Sequence, residues 1–473
     1  MSSQKQSNLT WACIQPLSGG FLLGAMNAMG TDPKYVLSYR GLSDVSFKSE
    51  WVDADGVFTG SKEEDYIQGI KTCGNEYNTF SYLRKKNKLP PYFVITDRGM
   101  FDDLSDDDSD LNVTIEPDSN FGSANSKLTD LHVDLMVAVP VCSGLSNATT
   151  TGDQDQRDSR NNNMKWITKF VLNKVKPKVY IFENAPGLFG KKGEPVRAML
   201  NDMAKKYGYS VTYYKTDTLL HDNAQKRPRT FCMFWQWQNG VEQNPPMLQY
   251  ENKRVNVKDF LARIPDDAPQ QYAPEMGRVT LSCLGFLKQY AKKQGLKNWR
   301  DLLKGTSYTG MSFIVSNGLT DQYKEFVSSM SIDDKFKEQL YRGIDHAVEK
   351  MKQGSWIFDT SLKVAKDEYL PTTFHKNTQC LIHPEKDRLL TIREMLFTMG
   401  MPNDFIFYGN NADIIHKIGQ NVPVRTAQWI TSEAKRILDG WDTLRGKSKN
   451  VGFIKTVTNV EMFDNTKGLS DEE

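Results

Sequence analysis

Apolar runs, interrupted internally only at Gln15 and Asp134, recur through the first half of the chain: Trp11 to Leu17, Tyr35 to Ser38, Val133 to Val139, Val179 to Phe182 and Thr230 to Trp235. Runs of this length without polar alternation predict strands covered on both faces, the signature of a parallel sheet packed between helices. The apolar stretch Phe21 to Met29 predicts a first helix that packs on the sheet and stops near Gly30. Far downstream, Thr391 and Glu394 have capping-box spacing. They predict a helix carrying Met395, Leu396 and Met399 and ending at Gly400 and Pro402. Residues 427 to 440 read as a closing helix. The pattern is that of an α/β protein.

Polar groups fall where these runs end. Pro140 cannot donate to a ladder and must close its strand, so Cys142 lies on a loop at a strand's carboxyl end, where open α/β sheets bind ligands. A cysteine there is commonly a small packed residue, but here partners follow in order. Glu183 and Asn184 close the run from Val179, and Gln225, Arg227 and Arg229 precede the run from Thr230. At the first strand, Leu17, Ser18, Gly19 and Gly20 form a tight turn whose glycines let backbone approach a ligand at a helix N-terminus.

In order and spacing these segments resemble the DNA cytosine C5 methyltransferase family from about Pro16 to Thr426. Pro140 to Ser146 resembles its Pro-Pro-Cys loop, and Asp158-Ser159-Arg160-Asn161 its Asp-x-Arg-Asn segment. Glu183-Asn184-Ala185 resembles Glu-Asn-Val, Gln225-Lys226-Arg227-Pro228-Arg229 is an intact Gln-x-Arg-x-Arg, and Gly419 to Pro423 resembles Gly-x-Asn-Val-Pro. The resemblance implies a Rossmann-like class I methyltransferase sheet with a smaller inserted target recognition domain, and S-adenosylmethionine as donor.

It also implies the chemistry. Cytosine carbon 5 is too weak a nucleophile to attack a sulfonium methyl group, so the Cys142 thiolate must first add to carbon 6. Glu183 would stabilise the ring at nitrogen 3 and the exocyclic amine as general acid. Arg227 and Arg229 would hold the carbonyl oxygen and neighbouring phosphates, with Arg229 as the base contact. Asn184 would brace the Cys142 loop, with Ser146 and Gln225 as further support. Leu17, Ser18, Gly19, Gly20, Tyr39, Pro140, Asn421 and Val422 would line the donor site. The target base must be rotated out of the duplex to reach them.

Two departures concern the donor. The family's Phe-x-Gly-x-Gly-Gly turn is two residues shorter here, and the carboxylate it commonly places after the second strand is replaced by Tyr39 and Arg40. Altered but ordinary binding explains both; Arg40 also leaves open a donor carrying extra negative charge.

Over 473 residues the net charge is only +2, so DNA binding must rest on local basic patches. Cys13, Cys73, Cys142, Cys232, Cys283 and Cys380 form no metal-ligand spacing, and no apolar run is long enough to span a membrane. With no apolar leader, the expectation is a cytoplasmic enzyme of a bacterial cell, possibly phage-encoded, without structural metal. It would act on double-stranded DNA as a monomer. Residues 1–237 and 386–445 are expected to form the catalytic domain, 238–385 the recognition domain and 446–473 a mobile tail. Phe101 to Asp110, with six Asp in ten residues, is expected to be a solvated loop. Transfer of a different group to carbon 5, a transfer-RNA methyltransferase and a non-enzymatic DNA-binding relative remain alternatives. The long recognition stretch argues against the second, and the intact Cys142, Glu183, Arg227 and Arg229 against the third.

Overall fold

The computed structural model describes residues 9–39, 76–96, 108–117, 127–141, 145, 161–240, 242, 247–249, 251–303, 309–354, 361–365, 368–372, 380–408 and 411–441. Two compact units divide the chain. The first comprises Met1–Asp217, Pro228–Glu251 and Val424–Glu473; the second comprises Thr218–Arg227 and Asn252–Pro423.

In the first unit, chain order runs β1 (Trp11–Ile14), α1 (Gly20–Met29), β2 (Val36–Tyr39), α2 (Glu76–Lys85), β3 (Tyr92–Ile95), β4 (Ile115–Pro117) and β5 (Leu135–Ala138). It continues through α3 (Asn162–Phe170), β6 (Val179–Asn184), α4 (Glu194–Tyr207), β7 (Tyr209–Asp217), β8 (Pro228–Gln236) and α5 (Val424–Asp439). The strands form one sheet in the order β4-β3-β2-β1-β5-β6-β8-β7. The five from β3 to β6 are mutually parallel, whereas β8 runs antiparallel to both β6 and β7. Every residue of β1, β5 and β6 is buried, as their unbroken apolar runs require.

Alternation within the strands separates two faces. Ala12, Ile14, Met136, Ala138, Tyr180 and Phe182 share a core with Trp166 and Phe170 of α3 and Leu200 of α4. On the opposite face Phe21 of α1 meets Phe231 of β8 edge-on, with ring centroids 5.8 Å apart. There α1 packs closely along α5: a Cβ on Gly24 would lie 2.6 Å from the Ala427 Cβ. Helices on both faces of a largely parallel sheet make this unit the expected α/β class.

The first run was expected to remain strand to Leu17, but β1 ends at Ile14. Gln15 (φ 55°) and Leu17 (φ 49°) adopt left-handed backbone, which breaks a ladder. The acidic run also departs from expectation. Its residues 101–107 lie outside the described ones; Asp110 is docked rather than solvated, whereas Asp108 keeps an exposed side chain that is tied down by hydrogen bonds. Asp110 pairs with Lys169 at 2.8 Å, with both side chains under a tenth exposed. Asp108 accepts hydrogen bonds from Asn173, Lys206 and Tyr207. The Tyr207 hydroxyl, aided by Lys206, holds the Asp108 carboxyl below its ordinary range. Leu111, 2% exposed, must enter the core, and it carries its acidic neighbours onto the cations of α3 and α4.

The second unit is mainly helical. Phe286, Leu287, Ile314, Tyr323 and Ile344 form its core, beside a two-stranded parallel pair, β9 (Lys363–Val364) and β10 (Leu381–Ile382). Residues 252–385 of the expected recognition stretch fall in this unit, which also takes in 386–423 and Thr218–Arg227; residues 238–251 group with the first. The expected tail lies outside the described residues.

The capping box forms as expected. Glu394 N donates to Thr391 Oγ1 at 3.0 Å, and Thr391 N donates to Glu394 Oε2 at 2.8 Å, opening the helix Ile392–Thr398. Arg388 grips the same carboxylate with two nitrogens, at 2.8 and 2.7 Å. Arg393, fully buried, donates to the carbonyls of Pro269, Pro402 and Phe405. His383 Nδ1 accepts from the backbone of Glu385 and Lys386, at 3.0 and 3.1 Å, so the ring must be neutral at that nitrogen. Burial pushes its pKa down to about 4.

The depressed folded-state value makes the unfolded chain the stronger proton binder below the ordinary histidine pKa. Stability from His383 is therefore complete above about pH 6.5 and is lost as the pH falls toward 4, by about 2–3 kcal/mol in all. Urea unfolding of wild type and His383→Asn should show the variant gaining on wild type through that window. A pH-independent difference would contradict the assignment.

Candidate active site at the carboxyl ends of the central strands

From β1 the chain winds to β2 and β3 on one side, and from β5 to β6 on the other. The connections from β1 and β5 thus lead to opposite sides, and it is at such a switch point that open α/β sheets bind ligands. After β1, left-handed backbone at Gln15, Leu17 and Gly19 alternates through the turn. Gln15, Ser18, Gly19 and Gly20 are buried. Thr79 Oγ1 donates to the Ser18 carbonyl at 3.0 Å and fixes the turn against α2. At Gly19 (φ 82°) a Cβ would lie 2.2 Å from Thr79 Oγ1, so only glycine fits. Helix α1 starts here with no side-chain cap, directing its positive end at the crevice. This bare turn suits a ligand approached by backbone.

At the end of β2 the backbone of Tyr39 is described; its side chain and Arg40 lie outside the described residues. A carboxylate nevertheless stands there. Glu76, in the first turn of α2 and 5% exposed, accepts from Ser38 Oγ at 2.9 Å and from the Tyr92 hydroxyl. Sequence reasoning passed over Glu76. An acidic residue in the first turn of a helix is ordinarily a dipole partner, and nothing in its neighbours announced burial.

Beyond β5, Pro140 is buried and Val141 N–H donates to Asn163 Oδ1 at 2.9 Å. Cys142 and Ser146 lie outside the described residues. In the neighbouring strand, Glu183 and Asn184 are the last two residues of β6. The antiparallel register sets Glu183 opposite Phe231, so Arg229, two residues earlier on β8, projects from the same face on the diagonal. Its Nε reaches Glu183 Oε1 at 2.7 Å, with the side chains 16% and 5% exposed. Asn184 was expected to brace the cysteine loop, which from Cys142 lies outside the described residues; its Oδ1 accepts from Ala185 N at 2.9 Å and its Nδ2 faces Met164 Sδ. The side chain that holds the loop at Val141 is Asn163, which no motif had singled out.

Four further expected residues lie in the second unit, at buried positions. Gln225 Nε2 donates to the Thr398 carbonyl. Arg227, 1% exposed, donates through one nitrogen to the carbonyls of Gly419 and Asn421, at 2.7 and 2.9 Å. It was expected to hold a base carbonyl or a phosphate; its described contacts are with the chain's own backbone. Asn421 and Val422, both 2% exposed, form the segment it grips, and Asn421 Oδ1 accepts from Val422 N at 3.0 Å. The Gln-x-Arg and Gly-x-Asn-Val-Pro segments, nearly two hundred residues apart, are thereby joined.

Residues 112–436 match the family model for C-5 cytosine-specific DNA methylase. The chain belongs to that family. It is a DNA methyltransferase acting at carbon 5 of cytosine. Among similar proteins is the type II methyltransferase M.Bpa9945I of Bacillus paralicheniformis, 23% identical over 343 residues that span 65% of this chain and 71% of the relative. Another, the type II methyltransferase M1.HphI of Haemophilus parahaemolyticus, is 22% identical over 347 residues, 72% of this chain and 78% of that one. A solved putative DNA modification methyltransferase encoded within a prophage (E. coli) aligns over 91% of this chain and all of its own, at 16% identity and a TM-score of 0.43. Entamoeba histolytica methyltransferase EhMeth aligns over 93% of this chain and 99% of its own, at 10% identity and a TM-score of 0.47. The family match takes in the ends of β5, β6 and β8; the turn after β1 and Glu76 precede it. Among the described residues of the methylase no group of His, Cys, Asp and Glu could hold a metal ion, and no helix is long and apolar enough to cross a membrane.

The Glu183–Arg229 pair is nearly dry, so removing one partner strands the other. Arg229→Ala should destabilise the methylase by about 2–4 kcal/mol, more than Glu183→Gln, which keeps a neutral acceptor for the guanidinium. Adding Arg229→Ala to Glu183→Gln should cost less than Arg229→Ala does alone. Additive losses in urea unfolding would mean that the pair is not coupled.

Proposed function

We propose that this protein flips a target cytosine out of duplex DNA and methylates it through a transient bond between Cys142 and carbon 6. The observation that carries the reading is the paired Glu183 and Arg229 at the end of β6, alongside the strand that leads to Cys142. The β5–β6 register sets Ala138, four residues before Cys142, beside Phe182, the residue before Glu183.

In this reading the Cys142 thiolate adds to carbon 6, forming a C–S bond and moving the ring's electron pair toward carbon 5 and nitrogen 3. Glu183 meets nitrogen 3 and the exocyclic amine, where it shares a proton as charge develops on the ring. Arg229, held by Glu183 before the base arrives, donates to the base carbonyl oxygen with a planar, permanently charged group. Arg227 serves from within the protein as a positioning residue, by fixing the Gly419–Asn421 backbone. After transfer a base removes the carbon 5 proton, and the electron pair returns to expel the Cys142 sulfur.

S-adenosylmethionine, when bound, supplies the methyl group. The residues fit it: the glycine turn Leu17, Ser18, Gly19 and Gly20 offers backbone at a helix N-terminus, and Pro140 closes the neighbouring strand beside it. A monomer on DNA, with the stretch 238–385 reading sequence, is the accompanying arrangement. The activity is that of a DNA (cytosine-5-)-methyltransferase, and the type II names of its relatives favour a place in restriction and modification.

Methylation of a random-sequence DNA library, with mass spectrometry of the nucleosides and base-resolution readout, should give 5-methylcytosine at a defined site. Cys142→Ser should abolish turnover and covalent trapping on a 5-fluorocytosine duplex while leaving DNA affinity within a few-fold, by roughly isosteric replacement of a strong nucleophile with a weak one. Glu183→Gln should slow the chemical step by at least ~10²-fold. A Cys142→Ser protein that still methylates would overturn the mechanism.

A further inference from the structure

We infer that Asn163 is a positioning residue for the reaction, acting through the backbone N–H of Val141 on the direction in which the chain enters Cys142. The inference rests on the cysteine mechanism proposed above. Strand β5 ends at Ala138 and Pro140 has no N–H, so Val141 carries the last backbone donor before Cys142. Asn163 Oδ1 accepts it at 2.9 Å, from a side chain that is fully buried. The donor fixes the amide's orientation, because the reversed amide would set N–H against N–H.

The support is rigid. Asn163 sits in the first turn of α3, whose Met164, Trp166, Ile167 and Phe170 are at most 1% exposed. The other end of the amide is a cost without structural return: Nδ2 is buried and has no hydrogen-bond partner among the described residues. A leucine would fill the same space without that cost. An asparagine kept there for packing alone makes little sense; one kept for its oxygen does. The chain also differs here from the Pro-Pro-Cys pattern it resembles. With Val141 in place of the second proline it carries an N–H that the pattern lacks, and Asn163 supplies the acceptor.

Single-turnover methylation at saturating DNA and S-adenosylmethionine tests this. Asn163→Leu should lower the rate by roughly 10- to 100-fold, the scale of a displaced reacting atom, with dissociation constants for DNA and donor within about threefold of wild type. Asn163→Asp keeps an acceptor oxygen in either protonation state and should restore the rate to within about threefold. Val141→Pro removes the N–H, so in that background Asn163→Leu should change the rate by less than about threefold, an outcome that general loosening of the helix would not give. If Asn163→Leu folds poorly, the Asp variant and the Val141→Pro pair carry the test. Full activity in Asn163→Leu, or an equal penalty with and without Val141→Pro, overturns the assignment while leaving the cysteine mechanism standing. A wild-type protein that methylates no DNA cytosine overturns both.

Discussion

A strand covered on both faces can offer chemistry only at its ends. Every residue of β1, β5 and β6 is buried, so the polar groups of the first unit gather where these strands stop. Because the three are adjacent and parallel, all three stop on one side of the sheet. The glycine turn, the peptide leading to Cys142 and the Glu183 carboxylate are neighbours for that reason, although more than 160 residues separate the first from the last. One antiparallel strand completes the set. By entering the sheet where β6 leaves it, β8 brings its first residues to the working edge, and Arg229 meets Glu183 there.

The two arginines of the Gln-x-Arg-x-Arg segment show how little spacing alone decides. Both were expected to face substrate. The chain passes from the second unit to the first between Arg227 and Pro228. Arg227 is dry and spent on backbone carbonyls, where a planar donor can bind two oxygens of an irregular segment at once. Arg229 keeps some exposure, with the Glu183 carboxylate as its ion-pair partner and the Pro228 carbonyl as a further acceptor.

Much of this was legible from the sequence because each signal was local. Unbroken apolar runs gave the buried strands, Gly30 ended α1, and Thr391 with Glu394 announced a capped helix. The misreadings share a different cause. Leu17 lies in an apolar run, yet its left-handed backbone belongs to a turn that only the fold imposes. Asp108 and Asp110 looked too charged to pack because their cations, Lys169 and Lys206, lie some sixty to a hundred residues away. Asn163 carried no motif position, because whether it reaches Val141 depends on how α3 crosses the end of β5.

The same argument changes how departures from a family pattern should be weighed. Read singly, the missing carboxylate at position 39 and the valine in place of a proline at 141 look like erosion of the site. In space each has a counterpart on a helix that begins beyond the strand concerned. Glu76 brings a buried carboxylate to the end of β2, where Ser38 and Tyr92 hold it. Asn163 brings an acceptor to the one N–H that the valine adds. A buried carboxylate or an unpaired buried amide costs free energy, and a site drifting out of use would be expected to replace both with apolar side chains of similar volume. Here both are polar, and each meets the strand end where the pattern changes.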